Sequence, residues 1–114
     1  MSLTLKSREV SGVTVLDPTG KITLGEGGQA LRDEARLHLA QGVRGMVLNL
    51  AEVSYIDSSG LGELVSACTA MKNLGGELKL ISLTHKVRDL LVITKLVTVF
   101  DVKENEAASV ASFA

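Results

Sequence analysis

The sequence predicts an α/β domain: an N-terminal β-hairpin, then alternating helices and strands, forming a mixed sheet of about four or five strands covered by about four helices. Three observations carry this prediction. The run Met46-Val47-Leu48-Asn49-Leu50 has strand length and is apolar on both faces, as a central strand covered by helices must be. Apolar residues recur at helical spacing in Leu31, Ala35 and Leu39, and again in Leu61, Leu64, Val65, Cys68 and Met71. Glycine-bearing turns separate these segments, and there is neither an internal repeat nor a low-complexity linker, so residues 1–114 read as one domain.

Taken in order, Leu3 and Leu5 alternate with Thr4 and Lys6, Ser11-Gly12 offers a turn, and Val13 to Leu16 return as the second strand of a hairpin. Pro18 removes a ladder donor, which predicts a sheet edge or a strand end there. Gly20-Lys21-Ile22-Thr23 enters a loop that continues through Gly25-Glu26-Gly27-Gly28. The first helix is expected over about Gln29 to Ala40, with His38 beside its apolar stripe as a structural residue. The strand Met46–Leu50 leads through Val53, Tyr55 and Ile56 into a second helix, about Ser59 to Asn73, closed by Gly75-Gly76. Its inner residues are Leu61, Leu64, Val65, Cys68 and Met71. A strand follows at Glu77–Ile81. A third helix is capped near Thr84, with Val87, Leu90, Leu91 and Thr94 inside. Lys95 to Phe100 form a connection with a short final strand. Glu104, Asn105 and Glu106 then open a last helix, beside which Phe113 covers an apolar edge.

Composition narrows the function. Apolar residues make up 46% and aromatics only 3%, so the core is aliphatic and a base-stacking surface is disfavoured. Twelve basic residues against 13 acidic ones leave a net charge of −1, with no attraction for nucleic acid or an anionic membrane. No apolar stretch nears the ~20 residues of a membrane span, and the first residues lack a signal-peptide pattern. Cys68, alone, forms no internal disulfide and fits a reducing cytoplasm. One Cys and two distant His supply no metal site. The glycine loop at 25–28 lacks the pattern of a phosphate cradle, so no cofactor is expected.

The chemistry concentrates at Asp57-Ser58-Ser59-Gly60-Leu61-Gly62, where strand gives way to helix. The first turn of a helix has N–H groups with no internal partner. Asp57 or Ser58 is placed to accept from one of them. Gly60 and Gly62 leave the backbone bare to close approach. A phosphate on a hydroxyl here would sit at the positive end of the helix dipole and add about −1.5 to −2 charge beside Asp57.

This string, after a strand ending Val47-Leu48-Asn49-Leu50, resembles the signature of the anti-sigma-factor antagonists, bacterial members of the STAS domain family. The resemblance spans nearly the whole chain and implies the fold outlined above. It implies that Ser58 is the phosphorylated serine, with Ser59 on the neighbouring Ser/Thr position. It implies as partners an anti-sigma factor with serine kinase activity and a serine phosphatase, in the cytoplasm. Unphosphorylated protein would dock and free the sigma factor; phosphate would end docking. Asp57, Ser58, Ser59, Gly60, Leu61 and Gly62 would face the partner, together with Lys21 and Thr23, which replace acids common in the family. Such a chain is expected as a monomer or weak dimer. Two other classes are weighed: a scaffold subunit of a stress-signalling assembly or of a lipid transporter, and a Ser58 hydrolase. The last is disfavoured because Gly-x-Ser-x-Gly is absent and only His38 and His85 are available as a base. No catalytic residue is therefore assigned.

Overall fold

The structure, a computed structural model, describes residues 3–23, 26–95 and 100–113. Strands β1 (Leu3–Val10) and β2 (Val13–Ile22) form the predicted hairpin. Ser11 and Gly12 both take positive φ, 51° and 81°. That pair makes a two-residue turn whose twist matches the flanking strands. Helix α1 (Glu26–Ala40), strands β3 (Gly45–Asn49) and β4 (Val53–Ile56), helix α2 (Ser58–Asn73), strand β5 (Glu77–Ile81), helix α3 (His85–Ile93), strand β6 (Asp101–Val102) and helix α4 (Glu106–Ala111) follow.

The sheet runs β1-β2-β3-β5-β6, and β4 also pairs with β2. Only β1–β2 is antiparallel. β2 is long enough to hold two partners along one side: β3 at Thr14–Leu16 and β4 at Gly20–Ile22. Pro18 falls in the break between them. The Gly20 N–H points to that side, donating to Glu52 O at 3.1 Å, and the period of two puts the Pro18 nitrogen there as well. The missing donor thus faces a gap in the ladder, so β2 continues through Pro18 as an interior strand, contrary to the expected edge or end.

Helices α1, α2 and α3 cover one face of the sheet. Leu16, Ile22, Met46, Leu48, Leu50 and Leu80 meet Leu31, Leu39, Leu61, Leu64, Met71 and Leu91 there. The other face is smaller: Val13, Val15, Val47 and Ile81, packed by Val110 and Phe113 at and beyond the end of α4. Both clusters are dominated by aliphatic side chains, as the composition required. Phe113 lies so close that a Cβ on Gly45 would stand 3.0 Å from its ring.

Several bounds differ from expectation. α1 starts at Glu26, so Gly27 and Gly28 lie in its first turn rather than in a loop; the apolar stripe begins only at Leu31 and leaves a polar first turn unmarked. β4 is a sixth strand, four residues long, where only a lead-in was expected. Thr94 is exposed at the end of α3, donating its hydroxyl to Leu90 O at 2.7 Å instead of facing inward. Leu96–Val99 lie outside the described residues, and the final strand comes directly after, at Asp101–Val102.

Candidate functional site

The junction between β4 and α2 is built by Asp57. Its backbone is extended, with φ −100° and ψ 177°. Its Oδ1 accepts the Gly60 N–H at 2.6 Å, and its carbonyl accepts the Leu61 N–H at 2.9 Å. Of the two candidate caps, Asp57 therefore holds the helix start. Ser58 and Ser59 are the first two helical residues, and both are exposed. The Ser58 hydroxyl is not the capping group.

Asp57 also donates its N–H to Ile22 O at 3.3 Å, which ties the junction to the end of β2. The neighbouring segment Gly20–Thr23 is drawn alongside: Lys21 is exposed and in register with Tyr55, and Thr23 is half-buried. Lys21 and Thr23 thus flank the junction.

Gly60 and Leu61 turn inward. A Cβ on Gly60 would fall on the carbonyl of Ile22, 2.6 Å from its carbon. The bare backbone of Gly60 is used by the chain's own β2, not left open to another molecule. Leu61 is 2% exposed and belongs to the main core. Gly62 is exposed, with nothing within 4 Å of an added Cβ. Of the six-residue string, the surface therefore presents Ser58, Ser59 and Gly62, with Asp57 half-buried.

An open groove of about 600 Å³ runs from this helix start to α3. Tyr55, Asp57 and Ser58 form one wall; Lys86, Asp89, Leu90 and Ile93 form the other. Tyr55 is 46% and Ile93 77% exposed. Sequence periodicity missed Ile93, because an apolar residue at the end of an amphipathic helix looks like one more core position.

The two histidines lie apart from Ser58 in their bonding. His38 pairs with Glu34 of its own helix at 3.2 Å, and His85 is the exposed first residue of α3. Cys68 is half-buried, its Sγ 3.9 Å from Leu78 O, and burial pushes its thiol up to about 12. Among the described residues, no group of three His, Cys, Asp or Glu is placed to hold a metal ion.

A second polar cluster lies on the opposite face. Arg8 donates to Asp17 at 2.7 and 3.2 Å and also to Glu106, joining the hairpin to α4. Asn49 donates to Asp17 at 2.9 Å. The Arg8 bonds hold both carboxyls below their ordinary values. Beside it Lys79, 4% exposed, donates to Ser112 Oγ at 2.6 Å and lies 4.3 Å from the centre of the Phe113 ring. These groups pin the end of the chain to the sheet.

The chain is similar to known proteins in sequence and in fold. A sequence model of the STAS domain matches residues 4–109. An anti-sigma-B factor antagonist of Listeria monocytogenes is 31% identical over 108 residues, 93% of this chain and 91% of that protein. An anti-sigma factor antagonist from Mycobacterium paratuberculosis has the same fold, with a TM-score of 0.81 at 19% identity over 97% of this chain and 93% of the other. The Bacillus cell fate determinant SpoIIAA, in its phosphorylated form, matches with a TM-score of 0.72 at 16% identity, over 97% of this chain and 100% of that one.

Proposed function

The chain belongs to the STAS domain family, and from that premise we propose that it is an anti-sigma-factor antagonist whose docking is switched by phosphate on Ser58. The observation that carries this reading is the division of labour at the start of α2. Asp57 caps the helix, while Ser58, one residue on, is exposed. A phosphate added there leaves the cap intact. The dipole of a sixteen-residue helix tolerates it, typically by a favourable ~0.3–1 kcal/mol. The fold survives modification, and only the surface changes.

For a docked partner the same charge is costly. A dianion forced against an interface without a counter-charge loses on the order of several kcal/mol, a several-hundredfold change in affinity or more. The partner in this reading is an anti-sigma factor with serine kinase activity, which transfers the γ-phosphate of ATP to the Ser58 oxygen. A serine phosphatase restores docking. Ser59, Gly62, Lys21 and Thr23 contribute the surrounding surface, and the chain acts in the cytoplasm, as a monomer or weak dimer, without direct contact with nucleic acid. Among the described residues, no helix is long and apolar enough to cross a membrane.

The test is incubation with ATP and the kinase-type anti-sigma factors of the same organism, followed by intact-mass and peptide analysis. One phosphate on Ser58, absent in Ser58→Ala, together with loss of binding in Ser58→Asp, is the expected result. Unmodified protein with every such partner would overturn the switch and put the scaffold role first.

A further inference from the structure

We infer that the groove where α1 and α2 end is a second docking surface. It takes an acidic segment of a partner protein, with a carboxylate on Arg36 and Arg44 and a neighbouring apolar side chain against Leu74. The groove is open and holds about 530 Å³, with Leu39, Ala70 and Leu74 as its apolar wall and Asn73 beside them. Leu74 is 61% exposed. The inference stands apart from the proposed switch, because it uses no residue at the start of α2.

Charge identifies the occupant. Arg36 and Arg44 are exposed and line the groove, and no acidic residue lines it among the described residues. Neither guanidinium is in an ion pair among the described residues. One turn earlier on α1, Arg32 reaches Glu63 of α2 at 3.1 Å. Further along, at the groove, α2 offers Ala70 and no carboxylate. Glu77, whose N–H donates to Arg44 O, lies 3.7 Å from Lys79 instead. The helix ends do not use up the cations either. Arg44 Nη1 donates to Leu39 O at 3.4 Å and to Val43 O at 3.1 Å, which serves the carbonyl end of α1. Lys72 stands in the last turn of α2. Arg36 is surplus to both. Two guanidiniums lining one groove favour an anion, and a carboxylate is the planar acceptor that their forks fit. The apolar wall selects among anions: a free ion leaves Leu74 wet, whereas a peptide carboxylate brings a neighbouring side chain to cover it.

The groove and Ser58 lie at opposite ends of α2, which runs Ser58–Asn73. At about 1.5 Å per residue the two are roughly 22 Å apart, well beyond the screening length of about 8 Å at physiological salt. A phosphate on Ser58 therefore leaves this surface unchanged. The chain can be held through the groove in either state of Ser58, tethered to one protein while its other end exchanges with another.

The experiment selects binders to the full chain from a random peptide library displayed on phage. The selected peptides are then synthesised and titrated against wild type, Arg36→Glu, Leu74→Asp, Lys72→Glu and Ser58→Asp. Lys72 is exposed on α2 but does not line the groove, so its reversal controls for net charge. Circular dichroism confirms that each variant is folded. The expected peptides carry Asp or Glu beside an apolar residue. Their affinity should fall about tenfold or more in Arg36→Glu and Leu74→Asp and stay within about twofold of wild type in Lys72→Glu and Ser58→Asp. A selection without acidic peptides, or peptides that bind Arg36→Glu as well as wild type, would overturn the inference. Equal losses in Lys72→Glu would reduce it to net charge, and loss in Ser58→Asp would move the peptide to the start of α2. Displacement of the peptide by inorganic phosphate at comparable concentration would make the groove a small-anion site instead. A dimer of the free chain that Arg36→Glu dissociates would make the occupant a second copy.

Discussion

Gly60 should be the least replaceable residue of the junction, and for a reason internal to the chain. Replacing it with Ala drives a methyl group onto the Ile22 carbonyl, 2.6 Å from the carbon. The obstacle is backbone, so no rotamer change relieves it. Ordinary contact requires the end of β2 and the start of α2 to separate by about 1 Å, which strains the Asp57 N–H to Ile22 O bond as well. Overpacking of this kind costs typically 1–3 kcal/mol, and backbone contact belongs at the upper end. The weakened hydrogen bond adds about 1 kcal/mol, and the better helix propensity of Ala returns about 1 kcal/mol. The net loss is about 3 kcal/mol, or roughly 12 °C in Tm for a chain of this size. Gly62→Ala supplies the control. Its added methyl meets nothing within 4 Å, so only the propensity gain remains, about 0.5–1 kcal/mol of stabilisation. Urea denaturation of both variants reads the two values. If Gly60→Ala proved as stable as wild type, the close approach would be wrong; if both variants lost stability equally, flexibility rather than contact would be the role of the glycines.

Three further outcomes follow from the other clusters. Asp17 and Glu106, bonded to Arg8, titrate below their ordinary 3.8 and 4.5 in the folded chain; the unfolded chain takes up protons first on acidification, so their stabilisation is present above about pH 5 and is lost as pH falls through the folded values. Thermal melts between pH 7 and pH 3 should show this loss, and Arg8→Ala should flatten it; an unchanged acid limb in Arg8→Ala would refute the pairing. Cys68, pushed from 9.0 to about 12 by burial, should react with a thiol reagent at pH 8 on the order of a thousandfold more slowly in the native chain than in urea, and comparable rates would contradict its placement. Phe113→Ala should lower stability by about 2 kcal/mol, below the range for a fully buried ring because Phe113 is only half-buried; a neutral result in urea denaturation would show that the end of the chain does not cover the second face.

Much of this architecture was legible because it follows period and punctuation. Met46–Leu50 announced a central strand, Glu77–Ile81 matched its strand residue for residue, and Leu31, Ala35 and Leu39 marked the buried side of α1. The helix start that carries the candidate site was legible as a place, since Asp57-Ser58 stands where an apolar run becomes a helix. What escaped depends on distant partners. The choice between Asp57 and Ser58 as cap is made by backbone angles that both residues accept. Gly60 looked like bare surface because the strand end that fills its missing side chain comes from Ile22, far back in the sequence. Pro18 suggested an edge because sequence does not reveal that β2 changes partners there. Lys79, in a Glu-Leu-Lys-Leu-Ile pattern, reads as the solvent side of a strand; only the arrival of Ser112 and Phe113 buries it.

The contact between Gly60 and Ile22 also makes the start of α2 depend on a distant segment. Two segments remote in sequence must meet before α2 settles at its start, and closing that loop carries an entropic cost that local helix formation does not. Asp57 and Ser58 take up their final arrangement only once β2 has been placed in the sheet. A nascent or partly unfolded chain carries the same six letters without displaying them in usable form. A partner that docked on this surface, as proposed above, would therefore count finished molecules, and the amount of binding-competent protein would track folded chain rather than synthesis.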